Sequence, residues 1–431
     1  MKQTNESQPE LYCTSQKIDI DPVSLLDTHF TPLFYWNDPN DLTILSIGAR
    51  TSITTDGPQR FERVKTQAQQ IFEGIHIGSV PPVARPKFVG GFAFHHSPTT
   101  NSQWKGFPGA AFHLPKIQIT ETENQTWVTI VGERSSSLSV ETAIDSIQSE
   151  SRNTQSSFAV ENIHHNPSKS VWTDQVSDII SRIDKEGLQK TVLAQSISAD
   201  LSGTFSLSWT MDKLLQRYPD CYHFAIRQEN SGVFFGATPE RLVSVSDTEA
   251  TTDALAGTRG RGSNESEDDA LAEELRTSTK EKHEHDLVVQ SITDKLTQFS
   301  SDIITSPKQI RKLQDMQHLY TPITATISSD THILSLVKAL HPTPAVGGLP
   351  PKKALETIRT IETFDRGWYA APIGWFNQDG DGTFAVGIRS ALTNSSTIRL
   401  FAGNGIVNDS DPTEEWDEIQ LKYKPILNTL T

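Results

Sequence analysis

The alternation of apolar and polar positions divides the chain into many short runs of period two and a few longer stretches of helical period. Near the N-terminus PLFYW (Pro32–Trp36), TILSIGA (Thr43–Ala49) and PKFVGGFAFH (Pro86–His95) predict strands, and FERVKTQAQQIFEGI (Phe61–Ile75) predicts a helix. Between Arg134 and Ser170 the composition turns to Ser, Asn and Gln, with little apolar periodicity after Ile147, which predicts a surface connection. Beyond it VWTDQVSDIISRI (Val171–Ile183) predicts a helix and KTVLAQSIS (Lys190–Ser198) a strand. In GVFFGATPERLVSV a strand is followed by Thr238 and Pro239, which suit a helix cap and first position with Glu240 just inside. A long acidic helical stretch runs from Ser266 to about Phe299. QHLYTPITATI and LHPTPAVGGLPPKKALETI follow as strand or loop segments, and GTFAVGIRSAL reads as one alternating strand.

The C-terminal stretch from Phe401 to Pro425 carries the most information. Gly403 and Gly405 bracket Asn404 and predict a turn whose bare backbone can approach an anion. Asp411 suits an N-cap, Pro412 the first helical position, and Glu414 the third position of a capping box. In that helix Glu415, Glu418 and Lys422 share a face beside an apolar stripe of Trp416, Ile419, Tyr423 and Ile426.

Periodicity places further charged groups where apolar ones belong. Strand alternation puts Lys190 on the face of Val192 and Ala194, so a buried lysine is expected, and a buried lysine is a candidate base. Lys280, Glu284, Val288, Ile292 and Leu296 recur every fourth residue, so Glu284 lies on an apolar face, which is costly unless it is paired. His283 and His285 are two apart on a helix and cannot chelate one ion. Arg389 shares a strand face with Ala385 and Gly387, whose small side chains leave room for an anion. ALAGTRGRG (Ala254–Gly262) reads as a glycine and arginine loop able to cradle a phosphate or carboxylate, yet it matches no nucleotide-binding fingerprint. Carboxylates without nearby nitrogen or sulfur ligands suit Mg2+, which borrows part of its shell from an anionic substrate.

Composition narrows the classes. The 431 residues carry 38 basic and 53 acidic side chains, a net charge of -15, which argues against nucleic acid or an anionic membrane surface as partner. Two cysteines, Cys13 and Cys221, make neither a disulfide framework nor a zinc spacing and fit a reducing compartment. No run approaches the ~20 apolar residues of a membrane helix, and MKQTNESQPE lacks an apolar segment behind a basic cluster. A soluble, unprocessed, cytoplasmic protein is expected.

KTVLAQ, FFGATPERL, ALAGTRGRG, KEKHEHDLVV, QHLYTPI, LHPTPAVGGLP, RGWYAAPIGW, VGIRSAL and AGNGIVNDSDPTEEWDEI together resemble, in order, the signature blocks of the chorismate-utilising enzymes, and within them the menaquinone-type isochorismate synthases. The resemblance is dense from about Val171 to Lys422 and thin before it. It implies an α/β (α+β) fold: a single large domain of antiparallel β-sheets flanked by helices, in which a weakly matched half (1–155) is intertwined with a chorismate-binding catalytic half (156–431). It implies that Lys190 is the general base that activates water against C2 of chorismate, and Glu240 the general acid for the departing C4 hydroxyl. A helix start would favour ionised Glu240, in conflict with that role. Glu284 and Glu418 match Mg2+ ligands, with Glu415 close by. Tyr369, Arg389, the Gly405 backbone and Lys422 match carboxylate-binding positions, while Gly257, Thr258, His318 and Ala345 match positions lining the pocket. Gln195 and Asn404 stand where the family often has arginine and alanine.

The activity implied is Mg2+-dependent conversion of chorismate to isochorismate for menaquinone biosynthesis, by a monomer or weak dimer. Salicylate synthesis, which adds elimination of pyruvate, and a siderophore-pathway isochorismate synthase are the alternatives within the fold. Ala345 in HPTPAVGG, where salicylate-forming relatives tend to carry threonine, points to the isomerase branch. A non-catalytic anion-binding protein is the remote alternative, and it has no evident need for Lys190 and Glu240.

Overall fold

Alternating burial builds one hydrogen-bonded ladder in the computed structural model, which describes residues 10–40, 42–96, 103–133, 139–150, 157–394 and 396–430. At one end the strand Met316–Thr326 pairs with Glu249–Gly260. The ladder continues through Arg241–Ser246, Gly382–Val386, Pro372–Phe376 and Phe88–Phe92 to Ala110–Thr122. It then passes through Thr43–Thr55, Leu33–Asn37, Tyr222–Arg227, Val233–Thr238 and Ser390–Thr393. Thr397–Ile406 and Lys190–Thr204 complete the path. Every pairing on this path is antiparallel, and strands from the first 122 residues are hydrogen-bonded between strands from the last 210. The molecule is therefore a single domain dominated by antiparallel sheet with helices packed outside.

Two apolar layers hold it together. One, rich in aromatic rings (Phe88, Phe92, Phe112, Phe224, Phe234, Phe384), also takes Val288, Ile292 and Leu296 of the helix Thr279–Leu296. The other receives Trp172, Val176 and Ile179 of the helix Lys169–Glu186, and Trp416, Ile419, Tyr423 and Ile426 of the helix Pro412–Leu430. Those four C-terminal side chains are at most 9% exposed, and each such burial contributes about 1.5–3 kcal/mol. Asp411 caps the helix as expected, its Oδ1 accepting from Thr413 N (2.8 Å) and Glu414 N (3.1 Å).

Several expected elements differ. Gly403 and Gly405 form no turn: both lie within the strand Thr397–Ile406, opposite Ala194 and Val192. ALAGTRGRG is mostly strand as well, ending Glu249–Gly260. Its arginines are committed to carboxylates, Arg259 to Glu281 (2.8 Å) and Arg261 to Asp268 (2.6 Å), so no cationic cradle is left. The acidic helix is two helices, Glu265–Thr277 and Thr279–Leu296, because Ser278 leaves helical geometry and caps the second through its Oγ. No helix starts at Thr238: Glu240 sits in a bend between two strands, since the alternating run Arg241–Ser246 that follows pairs into the sheet. GTFAVGIRSAL is broken between Gly382–Val386 and Ser390–Thr393. The Ser-rich stretch contains the helix Val140–Glu150, whose Val140, Ala143, Ile144 and Ile147 are buried at helical spacing, and the strand Ser157–Asn166. Its residues 134–138 and 151–156 lie outside the described residues.

Candidate active site

The two ends of the ladder face one another across a cavity of about 80 Å³. Gly257, Thr258 and His318 come from one end; Gly403 and Gly405 come from the other, with the helices carrying Glu284 and Glu418 alongside. Of the residues singled out in the sequence, Glu240, Gly257, Thr258, Glu284, His318, Ala345, Tyr369, Arg389, Gly405, Glu415, Glu418 and Lys422 all line it. Lys190 does not. It is 0% exposed and lies behind the wall, its Nζ 2.8 Å from Glu284 Oε1. The two charges expected on apolar faces are thus each other's partner, which offsets much of the cost of burying either.

That ion pair explains Gly405. A Cβ there would fall 2.5 Å from Lys190 Cε and 2.7 Å from Glu284 Oε1, so the lysine stem occupies the space a side chain would need. At the opposite wall Gly257, at φ +77°, makes a bulge in the strand. The bulge turns Thr258 N toward Glu281 Oε2 (3.3 Å) and leaves the Gly257 carbonyl for His318 Nδ1 (3.1 Å). The carbonyl can only accept, so Nδ1 carries the proton and Nε2, without a partner among the described residues, presents a lone pair. Burial first, and then nearby Arg389, push His318 down to about 3, which keeps the ring neutral.

Glu240 is 5% exposed, and its backbone is held by Thr238 Oγ1 and by Val386 N. Burial raises its pKa to about 7, against the opposing pull of Lys190 and Arg389. The conflict posed by a helix start disappears, because no helix begins at Thr238. Arg389 stands at φ +50° and the neighbouring cavity residue Ala370 at φ +58°, left-handed conformations that cost non-glycine residues energy and gather at functional sites. Arg389 Nη2 touches Met316 Sδ at 2.8 Å, while its buried Nη1 has no partner among the described residues. Tyr369 stacks on Phe401 with 5.2 Å between ring centres, and burial raises its phenol.

Four carboxylates converge here, each held by a basic group: Glu284 by Lys190, Glu418 by Lys422 (2.8 Å), Glu415 by Lys280 (3.1 Å) and Glu281 by Arg259 (2.8 Å). Burial opposes ionisation of Glu284, but Lys190, with Lys422 and Lys280, outweighs it and the net shift is downward. Glu281 is raised by burial and then by Glu284 and Glu418; Glu415 is raised by burial and then by Glu418. Such mutual repulsion is what a divalent cation relieves. Among the described residues no three potential ligands gather at metal-holding distance. The donor set nonetheless fits Mg2+, which takes one or two carboxylates and completes its shell with water and substrate oxygens.

Glu281 escaped the sequence reading, and Lys280 and Arg259, though noted in their segments, were not expected to pair with carboxylates of this site. Glu281 lies three residues from Glu284 and so on the same helix face, a signal that the attention to every fourth position passed over. A second buried pair was also missed. Glu362 accepts from Ala194 N (2.9 Å), while Arg366 donates to Glu362 Oε2 (2.9 Å), Val192 O (2.9 Å) and Val346 O (2.7 Å). The pair ties the lysine strand to the segment bearing Ala345.

The profile of the family described as chorismate binding enzyme matches residues 1–431. The isochorismate synthase MenF of Bacillus subtilis (strain 168) is 34% identical over 416 residues, 92% of this chain and 87% of that protein. The salicylate biosynthesis isochorismate synthase of Pseudomonas aeruginosa is 34% identical over 438 residues, 98% of this chain and 91% of the other. The solved structure of MenF, the menaquinone-specific isochorismate synthase of Escherichia coli, superimposes with a TM-score of 0.83 at 26% identity, covering 98% of this chain and 95% of that one.

Proposed function

The chain belongs to the chorismate-binding enzymes, whose profile it matches along its whole length, and from that premise we propose that it is a Mg2+-dependent isochorismate synthase serving menaquinone biosynthesis. The observation that carries the chemistry is Glu240, a buried carboxyl kept protonated up to about pH 7 on the wall of a cavity otherwise furnished to bind an anion. Arg389, Lys422, Tyr369 and the Gly405 backbone bind the substrate carboxylates, and Gly257, Thr258, His318 and Ala345 shape the space around the ring. Glu284 and Glu418, with Glu415 beside them, would hold Mg2+, which when bound anchors the ring carboxylate and offsets its charge.

With its own proton released to solvent, Lys190 takes a proton from water, and the oxygen bonds to C2 of chorismate. The ring double bonds shift, and the C4–O bond breaks as Glu240 delivers its proton, so the old hydroxyl leaves as water. Substrate and product are isomers; the proton gained by Lys190 and lost by Glu240 is returned through solvent. The ion pair with Glu284 fixes the lysine beside the cavity, where orientation replaces a chance encounter.

The test is incubation of the purified protein with chorismate and Mg2+, with products identified by chromatography. A mixture of chorismate and isochorismate, reached from either side, is expected at neutral to mildly alkaline pH. Stoichiometric pyruvate and salicylate without added lyase would overturn the assignment, including the reading of Ala345 as a mark of the isomerase branch. The Pseudomonas relative, at the same identity as the Bacillus one, makes isochorismate supply for salicylate or siderophores the second reading of the pathway.

A pH profile tests Glu240 separately. The acid must carry its proton, and it does so below its raised pKa of about 7. Above that point kcat/KM is expected to fall by about tenfold per pH unit as the free enzyme loses the acid. A flat profile to pH 9 would remove Glu240 from the role.

A further inference from the structure

Asn404 has no part in the assignments above. It is 0% exposed in the strand Thr397–Ile406, and alternation turns its side chain away from the face on which Gly403 and Gly405 line the cavity. Its amide nitrogen and oxygen both bond to residues of the C-terminal helix. Nδ2 donates to the Glu415 carbonyl (2.7 Å) and to Glu415 Oε2 (3.0 Å), and Oδ1 accepts from Lys422 Nζ (2.6 Å). An ammonium only donates and a carbonyl only accepts, so the amide fits one way round.

Lys422 has two further partners, the Gly403 carbonyl (3.0 Å) and Glu418 Oε1 (2.8 Å). Its three N–H groups are therefore all occupied, two by neutral groups of the strand and one by a carboxylate on its own helix. The strand partners set the direction of the ammonium. Glu418 is the partner that can be drawn away, since it is also a proposed metal ligand. Without Asn404 the ammonium keeps its charge and loses its aim, and the buried Glu415 carboxylate keeps only Ser410 Oγ (2.8 Å) and Lys280 (3.1 Å).

We propose that Asn404 is a positioning residue: from behind the cavity wall it presets Lys422 to receive a carboxylate of the substrate, while its amide holds Glu415 in place beside the proposed metal ligands. The inference rests on the reading of Lys422 given above. A residue that merely fastened helix to strand would affect stability and leave substrate affinity alone, so the two roles separate in kinetics.

The experiment compares wild type, Asn404→Ala, Asn404→Ser, Lys422→Met and the Asn404→Ala/Lys422→Met double variant at saturating Mg2+, by steady-state kinetics and by calorimetric titration with chorismate. Loss of the hydrogen bond to the Lys422 ammonium predicts a rise in KM of about tenfold or more for Asn404→Ala, with kcat within about threefold of wild type. In the Lys422→Met background Asn404→Ala should leave chorismate affinity unchanged, because the residue through which it acts is gone. Wild-type KM in folded Asn404→Ala overturns the proposal, as does an equal loss of affinity in the Lys422→Met background. Should Asn404→Ala not fold, Asn404→Ser carries the test, since its hydroxyl is too short to span both partners; wild-type KM there is equally fatal. A wild-type protein that binds chorismate without making isochorismate would sink the reading of the reaction while leaving the affinity arm to judge Asn404.

Discussion

Lys190→Ala is expected to turn chorismate over at least about a hundredfold more slowly than wild type, the scale on which a general base acts. The argument is geometric. Lys190 is a fully buried cation behind the cavity wall, held 2.8 Å from Glu284, and Gly405 leaves it the room to be there. Removing it also leaves Glu284 without its ion-pair partner, which destabilises the fold by up to about 3–5 kcal/mol, softened because the Glu284 side chain is 14% exposed at the cavity. Activity is therefore to be compared below the melting temperature of the variant, with circular dichroism confirming the fold. Freeing the Glu284 carboxylate should hold or raise Mg2+ affinity in calorimetry, so lost turnover cannot be assigned to lost metal. A folded Lys190→Ala enzyme with near-normal turnover would exclude the lysine as base.

Removal of the metal, or of either proposed ligand, should have an effect of similar size. Chelation is expected to abolish turnover, and Glu284→Ala or Glu418→Ala to reduce it by at least about a hundredfold, because a shell that takes only one or two protein ligands loses a large part of its hold with either. The variants should also bind Mg2+ more weakly in calorimetric titration, a readout independent of turnover. Zinc should restore little activity, since the cavity offers carboxylates, the single imidazole of His318 and no thiolate. Full activity in the chelated enzyme would refute metal dependence. The four basic partners bear on the same test. Mg2+ must compete with Lys190 for Glu284 and with Lys422 for Glu418, so raised ionic strength should change the apparent metal affinity of the wild type.

The C-terminal helix was readable because its determinants are local. Asp411, Pro412 and the stripe of Trp416, Ile419, Tyr423 and Ile426 specify a cap, a first turn and a buried face within one segment, and the structure has all three. Lys190 and Glu284 were visible for the same reason, as charges breaking an apolar period. Bends and breaks were not visible. Thr238 and Pro239 have helix-start chemistry, yet the strand pairing of Arg241–Ser246 with Gly382–Val386 outweighs it, and a local preference of ~1 kcal/mol yields to a ladder of hydrogen bonds.

By itself, then, the amino-acid sequence determined the elements with strong periodicity, the cap of the C-terminal helix, and which charged side chains had to find partners. Only the tertiary structure decided who those partners are: Glu284 for Lys190, Lys280 for Glu415, Arg259 for Glu281, and Asn404 between Lys422 and Glu415. It also decided that burial raises the Glu240 carboxyl to about 7, well above its ordinary range. The reason is that periodicity reports the face a residue occupies, whereas partner and protonation state depend on which distant strand or helix closes over that face, and long-range pairing leaves no local trace.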